Sequence, residues 1–145
     1  MEIYSIGFTQ KTAEQFFTSL KDAGIRLLLD VRLNNVSQLA GFAKRADLSF
    51  FLKQICGVDY LHEPLLAPTQ AMLDAYRSKA ASWQEYETRF LALMAERQIE
   101  RNLDPALFEK PTVLLCSELT ADRCHRRLVI EYLREKWGDV TISHL

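Results

Sequence analysis

The sequence predicts an α/β domain, three layers deep (α/β/α), built on a mostly parallel sheet of four to five strands. Three observations predict it. Leu27-Leu28-Leu29 and Val113-Leu114-Leu115 are short, continuous apolar runs, as expected of strands buried on both faces. Segments with apolar residues at helical spacing separate such runs, so strands alternate with helices. The chain has 145 residues, 48% of them hydrophobic, with no linker, internal repeat or low-complexity stretch, so residues 1–145 read as one domain.

Taken in order, Ile3-Tyr4-Ser5-Ile6 forms a first strand and Gly7 ends it. Thr12-Ala13-Glu14-Gln15 has the capping-box pattern, in which the threonine hydroxyl and the glutamine side chain each satisfy a backbone N–H of the other. The helix it opens places Ala13, Phe16, Phe17 and Leu20 on one face, and Gly24 follows its end. Residues 27–31 are the second strand. Residues 32–46 form a polar loop, after which Asp47 caps a helix with Leu48, Phe51, Leu52 and Ile55 on one face, stopped by Gly57. Val58-Asp59-Tyr60-Leu61 is a weak strand, and Pro64 and Pro68 bracket a loop. Residues 69–101 read as two helices broken near 80–82, the second with an apolar stripe of Trp83, Tyr86, Phe90 and Met94. Residues 111–116 are another buried strand, with Pro111 at the one position where it breaks no ladder hydrogen bond. A helix starting near 120–122 turns Leu128, Val129, Tyr132 and Leu133 inward and ends at Gly138, and 140–142 close the chain as a strand. The alternation is Rossmann-like.

The bulk composition narrows the partners. A net charge of −1 gives no broad nucleic-acid-binding face, although a local basic patch stays open. No apolar run approaches the roughly 18 residues that cross a membrane. The start of the chain reads as a strand and not as a secretory leader, and three cysteines cannot all pair. Reduced thiols in a cytoplasmic protein are therefore expected, with no disulfide between Cys116 and Cys124. Nothing in the sequence sets the oligomeric state.

Ligands of open parallel sheets bind beyond the carboxyl ends of the strands. Three such ends carry polar residues: Gly7-Phe8-Thr9, Asp30-Val31-Arg32, and Cys116-Ser117-Glu118 with Arg123-Cys124-His125-Arg126-Arg127 entering the next helix. A helix start attracts anions through its free N–H groups and dipole. Arg32, Arg126 and that helix start would hold a negative group, with Gly7 and Thr9 beside them. Asp30 or Glu118 would act as general acid, base or nucleophile, or Cys124 and His125 would act as nucleophile and base. Expected to converge in one site are Asp30, Arg32, Glu118, Cys124, His125 and Arg126. The plainer readings stand beside these: Asp30 and Arg32 as an ion pair closing the sheet, Cys116 as a small hydrophobe, and Tyr4, Phe8 and Phe42 as core. Cys116, Cys124 and His125 would supply three metal ligands. However, the chain has no C-x-x-C or H-x-x-x-H spacing, and neighbours on a helix seldom reach one ion, so no metal and no cofactor is expected.

The motifs also occur in a telling order. An Ile6-Gly7 turn near the start, Leu28-Leu29-Asp30-Val31-Arg32, Gly41-Phe42-Ala43-Lys44, Tyr60-Leu61-His62, and Cys116-x-Glu118 followed by Cys124-His125-Arg126 run along nearly the whole chain. This order resembles the domain of unknown function 488 family. The resemblance implies a small α/β fold and a polar cluster of Asp30, Arg32, Lys44, Glu118, Cys124, His125 and Arg126. The chain departs from the family pattern at Phe8-Thr9 and at Leu33-Asn34-Asn35-Val36. A weaker resemblance to rhodanese domains rests on Asp-Val-Arg and a strand ending in cysteine. The stretch after Cys116, with Glu118 and Asp122 and no glycine, has the wrong charge for an anion-binding loop, which disfavours sulfur transfer. The residue types suit a hydrolase or transferase for a small anionic or nucleotide-like ligand. They also suit a non-catalytic module that binds a nucleotide or nucleic-acid end in the same basic pocket.

Overall fold

A computed structural model describes residues 1–35, 41–117 and 123–145. Five strands form one sheet, β1 (Glu2–Gly7), β2 (Leu27–Asp30), β3 (Asp59–His62), β4 (Thr112–Cys116) and β5 (Thr141–His144). They lie in the order β3-β2-β4-β1-β5, and every pairing is parallel. The helices are α1 (Ala13–Asp22), α2 (Arg45–Phe51), α3 (Gln70–Arg77), α4 (Trp83–Glu96), α5 (Ile99–Asn102) and α6 (His125–Trp137). No described helix is long and apolar enough to cross a membrane.

Alternation along the strands splits the core in two. Leu28, Val113 and Leu115 face α1 and α2, meeting Phe16, Phe17, Leu20, Leu48 and Leu52. Leu29 and Leu114 face the other way, onto Phe90 and Met94 of α4 and Leu128, Val129 and Leu133 of α6. A strand with helices on both faces has no side for polar residues, hence the unbroken leucine runs.

Local signals hold at most boundaries. Thr12 caps α1 in a full capping box with Gln15, and Ser82 does the same for α4 with Glu85. Gly24 and Gly57 adopt φ of +69° and +66°, the left-handed backbone that lets a helix end without a side-chain clash. The expected cap at Asp47 is corrected. Helix α2 starts two residues earlier at Arg45, whose N–H donates to Asn35 O at 2.8 Å, so backbone replaces the side-chain cap. A π-turn over Leu52–Cys56 continues α2, and its wider winding leaves Ile55 exposed while Leu52 stays buried. The 69–101 stretch holds three helices, because Gln98 at φ +49° interrupts the run between α4 and α5. The described part of α6 begins at His125, and the expected start at 120–122 lies outside the described residues.

The strand order sets the position of the site. From β1 the chain passes by α1 to β2 and by α2 to β3, moving toward one edge over one face. From β3 it returns by α3, α4 and α5 to β4 and by α6 to β5, over the other face. Connections therefore leave adjacent β2 and β4 in opposite directions. Such a topological switch point opens a crevice beyond the carboxyl ends of the two strands.

Candidate functional site

The carboxyl ends of the inner strands lie level. Asp30 pairs in register with Leu115 of β4 and His62 of β3, and Gly7 pairs with Cys116. Each chain segment that leaves the sheet here delivers polar groups to the same edge.

Asp30 and Arg32 form a buried clamp. Arg32 Nε and Nη2 donate to the two carboxylate oxygens at 2.9 Å each, and the Arg32 backbone N–H adds a third bond to Oδ1 at 3.1 Å. Tyr60 OH donates to Oδ2, and Asn35 Nδ2 donates to the same oxygen at 3.3 Å. Burial alone would raise the Asp30 pKa, but the Arg32 guanidinium and the Tyr60 hydroxyl outweigh it and hold the carboxyl below its ordinary value. Burial and the same carboxylate push the Tyr60 phenol up. The guanidinium carbon lies 5.3 Å from the centroid of the Phe8 ring, a cation–π contact. Arg32 Nη1 is buried and has no hydrogen-bond partner among the described residues.

The opposite side of the crevice is built by β4 and α6. His125 Nε2 lies 2.7 Å from Val31 O, and because a carbonyl only accepts, Nε2 carries the proton. In the neutral ring Nδ1 is then the acceptor, and it faces the Cys116 thiol at 3.4 Å. Cys124 sits beside them. Its thiol is pushed well up by burial and by the hydrogen bond to Cys116, with His125 opposing. Among the described residues, the donor atoms of Cys116, Cys124 and His125 lie within 4.8 Å of one another, a set able to hold a metal ion. None of the three cysteines, all among the described residues, is in a disulfide.

These two halves line one cleft of about 490 Å³, inside the span of about 300–1,000 Å³ usual for small-molecule sites. Arg32, Cys116, Cys124 and His125 line it at the sheet edge, Arg77 and Arg123 add charge, and Leu73, Tyr76, Trp83 and Tyr86 make an apolar wall. The wall is a ladder of rings. Trp83 stacks on Tyr86 with centroids 5.2 Å apart, Tyr86 stacks on Phe90 at 6.1 Å, and Phe90 meets His125 at 5.5 Å.

Of the residues singled out from sequence, the structure brings Arg32, Cys124 and His125 into this cleft, with Asp30 directly behind Arg32. Four others are placed differently. Arg126 is 1% exposed and donates from Nε to Ser5 Oγ on β1 at 3.2 Å, so it lies past β4 from the crevice and outside the described lining. Lys44 is exposed just before α2. Gly7 is buried in β1, and its carbonyl accepts from Lys11 Nζ. The Thr9 hydroxyl donates to Ser117 O and ties two loops together. Glu118 lies outside the described residues. Of the three aromatics read as core, Phe8 is buried in it, and the half-buried Tyr4 and Phe42 pack against it.

The cleft also holds residues that the sequence reading passed over. Trp83 and Tyr86 stand in the stripe of α4, where aromatic rings with polar tips in place of aliphatic side chains were the available signal. Asn35 and Tyr60 complete the Asp30 clamp; Tyr60 stood in the Tyr60-Leu61-His62 motif and Asn35 at a departure from the family pattern, but neither had a role assigned from sequence.

A protein-family model described as Domain of unknown function DUF488 matches residues 12–133. No curated protein and no solved structure matches.

Proposed function

We propose, from the premise that this chain belongs to the domain of unknown function 488 family, that the cleft binds a small anionic, nucleotide-like substrate and carries out hydrolysis or group transfer on it. The family brings no activity with it, so the reading rests on the site.

One observation carries it: Arg32 Nη1 is a buried cationic donor without an acceptor among the described residues, on a side chain that lines the cleft. A buried donor left unpaired costs about 1–3 kcal/mol, more when charged. An oxyanion removes that cost. Asp30, Tyr60 and Asn35 hold the guanidinium in place beforehand, so binding an anion orders nothing new. Arg77 and Arg123 add positive charge around the cleft, and the Trp83–Tyr86 stack offers a flat face to a base or other planar ring. Cys116, Cys124 and His125 stand where the reacting end of such a ligand would rest. In this reading Asp30 is a positioning residue, because both its oxygens already accept hydrogen bonds.

The test is a calorimetric titration with inorganic phosphate and with nucleoside monophosphates, followed by product analysis. Wild-type protein is expected to bind both, the nucleotides more tightly, with affinity falling as salt rises. Arg32→Gln is expected to weaken binding at least about tenfold, the loss of one charge-assisted hydrogen bond. Equal binding by Arg32→Gln would overturn the reading. Tight binding without turnover of any nucleotide would make the chain a binding module.

A further inference from the structure

We propose that Cys116, Cys124 and His125 bind a single zinc-class divalent metal ion, with its fourth coordination position open to the cleft. The donors stand on their own geometry. The inference rests on the anion reading only for what the open position faces.

Four features lead there. First, the donor set is two thiols and one imidazole, all buried, with donor atoms within 4.8 Å of one another. Zinc with bonds of about 2.3 Å to sulfur and about 2.0–2.1 Å to nitrogen has tetrahedral edges of about 3.5–3.8 Å. The Cys116–His125 edge already measures 3.4 Å. Closing the rest takes side-chain movements on the order of 1 Å.

Second, His125 is oriented as a metal-bound histidine is. Its Nε2–H donates to the Val31 carbonyl, which fixes the ring and leaves the Nδ1 lone pair toward the cysteines.

Third, the backbone answers the objection that adjacent residues on a helix diverge. Cys124 precedes α6 in an extended conformation, φ −138° and ψ 140°, and its side chain makes no capping bond, while His125 is the first helical residue. The two therefore approach one point from different backbone geometries.

Fourth, all three donors line the cleft alongside Arg32. Two cysteines and one histidine with a free position is a pattern of catalytic zinc, whereas structural sites are closed by four protein ligands. On binding, the two thiols release their protons to solvent and the dication is neutralised by two thiolates. This departs from the expectation of no metal, which rested on missing sequence spacings.

The experiment loads chelator-treated protein with Zn²⁺ or Co²⁺. Expected are one equivalent of Zn²⁺ per chain and, with Co²⁺, tetrahedral visible bands together with thiolate-to-metal charge transfer. In mild urea, where local opening makes buried thiols reachable, Zn²⁺ should slow alkylation of Cys116 and Cys124 relative to metal-free protein, read by mass spectrometry, and leave the rate at Cys56 unchanged. Cys116→Ser and Cys124→Ser should each weaken metal binding by at least about 100-fold, and Cys56→Ser should leave it unchanged. Should the serine variants fail to fold, the alkylation pattern of wild-type protein decides. Equal alkylation of Cys116 and Cys124 with and without Zn²⁺, or a cobalt spectrum without thiolate charge transfer, overturns the proposal. Phosphate is titrated into the metal-free protein in parallel. Phosphate binding without metal binding refutes the metal site and keeps the anion reading, and metal binding without phosphate binding does the reverse.

Discussion

Arg32 turns back on Asp30, two residues earlier, and grips its carboxylate through both Nε and Nη2 at 2.9 Å with neither side chain reaching solvent. The grip spends two arms of the guanidinium inside the protein and fixes where the third arm lies.

Removing the anion should therefore strand the cation. Asp30→Asn is expected to lose about 3–5 kcal/mol of stability, the cost of a buried charge whose partner is gone, read as a shift in the urea midpoint at unchanged slope. A loss below about 1 kcal/mol would mean that water enters the clamp.

Acid should act on the same carboxylate. Its folded pKa lies below the ordinary 3.8, so its contribution is complete above about pH 4 and is lost as pH falls through the lower folded value. Thermal midpoints between pH 2 and pH 6 should fall steeply below pH 4 in wild-type protein. Asp30→Asn should be less stable throughout and should lack this component of the decline.

Arg126 and Arg127 are neighbours with opposite fates. Arg126→Ala removes a buried side chain bonded to Ser5 and should cost on the order of 2–4 kcal/mol with little change in phosphate affinity. Arg127 is part-exposed and pairs with Glu131 one turn on, an exposed-type pair of about 0.3–0.5 kcal/mol, so Arg127→Ala should be nearly neutral on both counts. Denaturation and phosphate titration of both variants check this, and a selective loss of phosphate binding in Arg126→Ala would return Arg126 to the site.

Trp83 should report occupancy. A planar ligand over the Trp83–Tyr86 stack is expected to quench tryptophan fluorescence. The quench should survive Trp137→Phe, because Trp137 packs on Phe108 and donates to Glu100 O away from the cleft. It should vanish in Trp83→Phe. The reverse pattern would place the ligand elsewhere.

Much of this molecule was legible in its sequence because the forces involved are local. Leu27–Leu29 and Val113–Leu115 announce buried strands through composition alone, and Thr12 with Gln15 announces a helix start within four residues. Gly24 and Gly57 mark helix ends because few other residues accept their backbone angles. The Asp30–Arg32 pair was readable from a spacing of two, although not its burial or its partners Tyr60, which arrives from β3, and Asn35, which the loop after β2 brings back. The cleft wall was hidden for a different reason. Whether Trp83 and Tyr86 face core or cavity depends on where α4 crosses the end of β4, a matter of helix packing that periodicity does not encode. Arg126 read as the edge of the inward face, and it is buried there, but a residue at the rim of an apolar face goes to core or cleft according to what lies opposite, here Ser5.

The middle strand of the sheet is nearly the last to be made. With β4 between β2 and β1, the first two strands belong to no common sheet until residues 112–116 exist to bridge them. A chain growing on a ribosome thus carries two unjoined sheet edges, with the Arg32 clamp on one of them and nothing to face it. Insertion of β4 joins the edges and also brings up Cys116, after which α6 docks His125 onto Val31, 94 residues away in sequence. Contacts of such long range make for slow folding. They also make the cleft a late product of synthesis, because its two sides, Arg32 and the Cys116–His125 segment, meet only once β4 is in place.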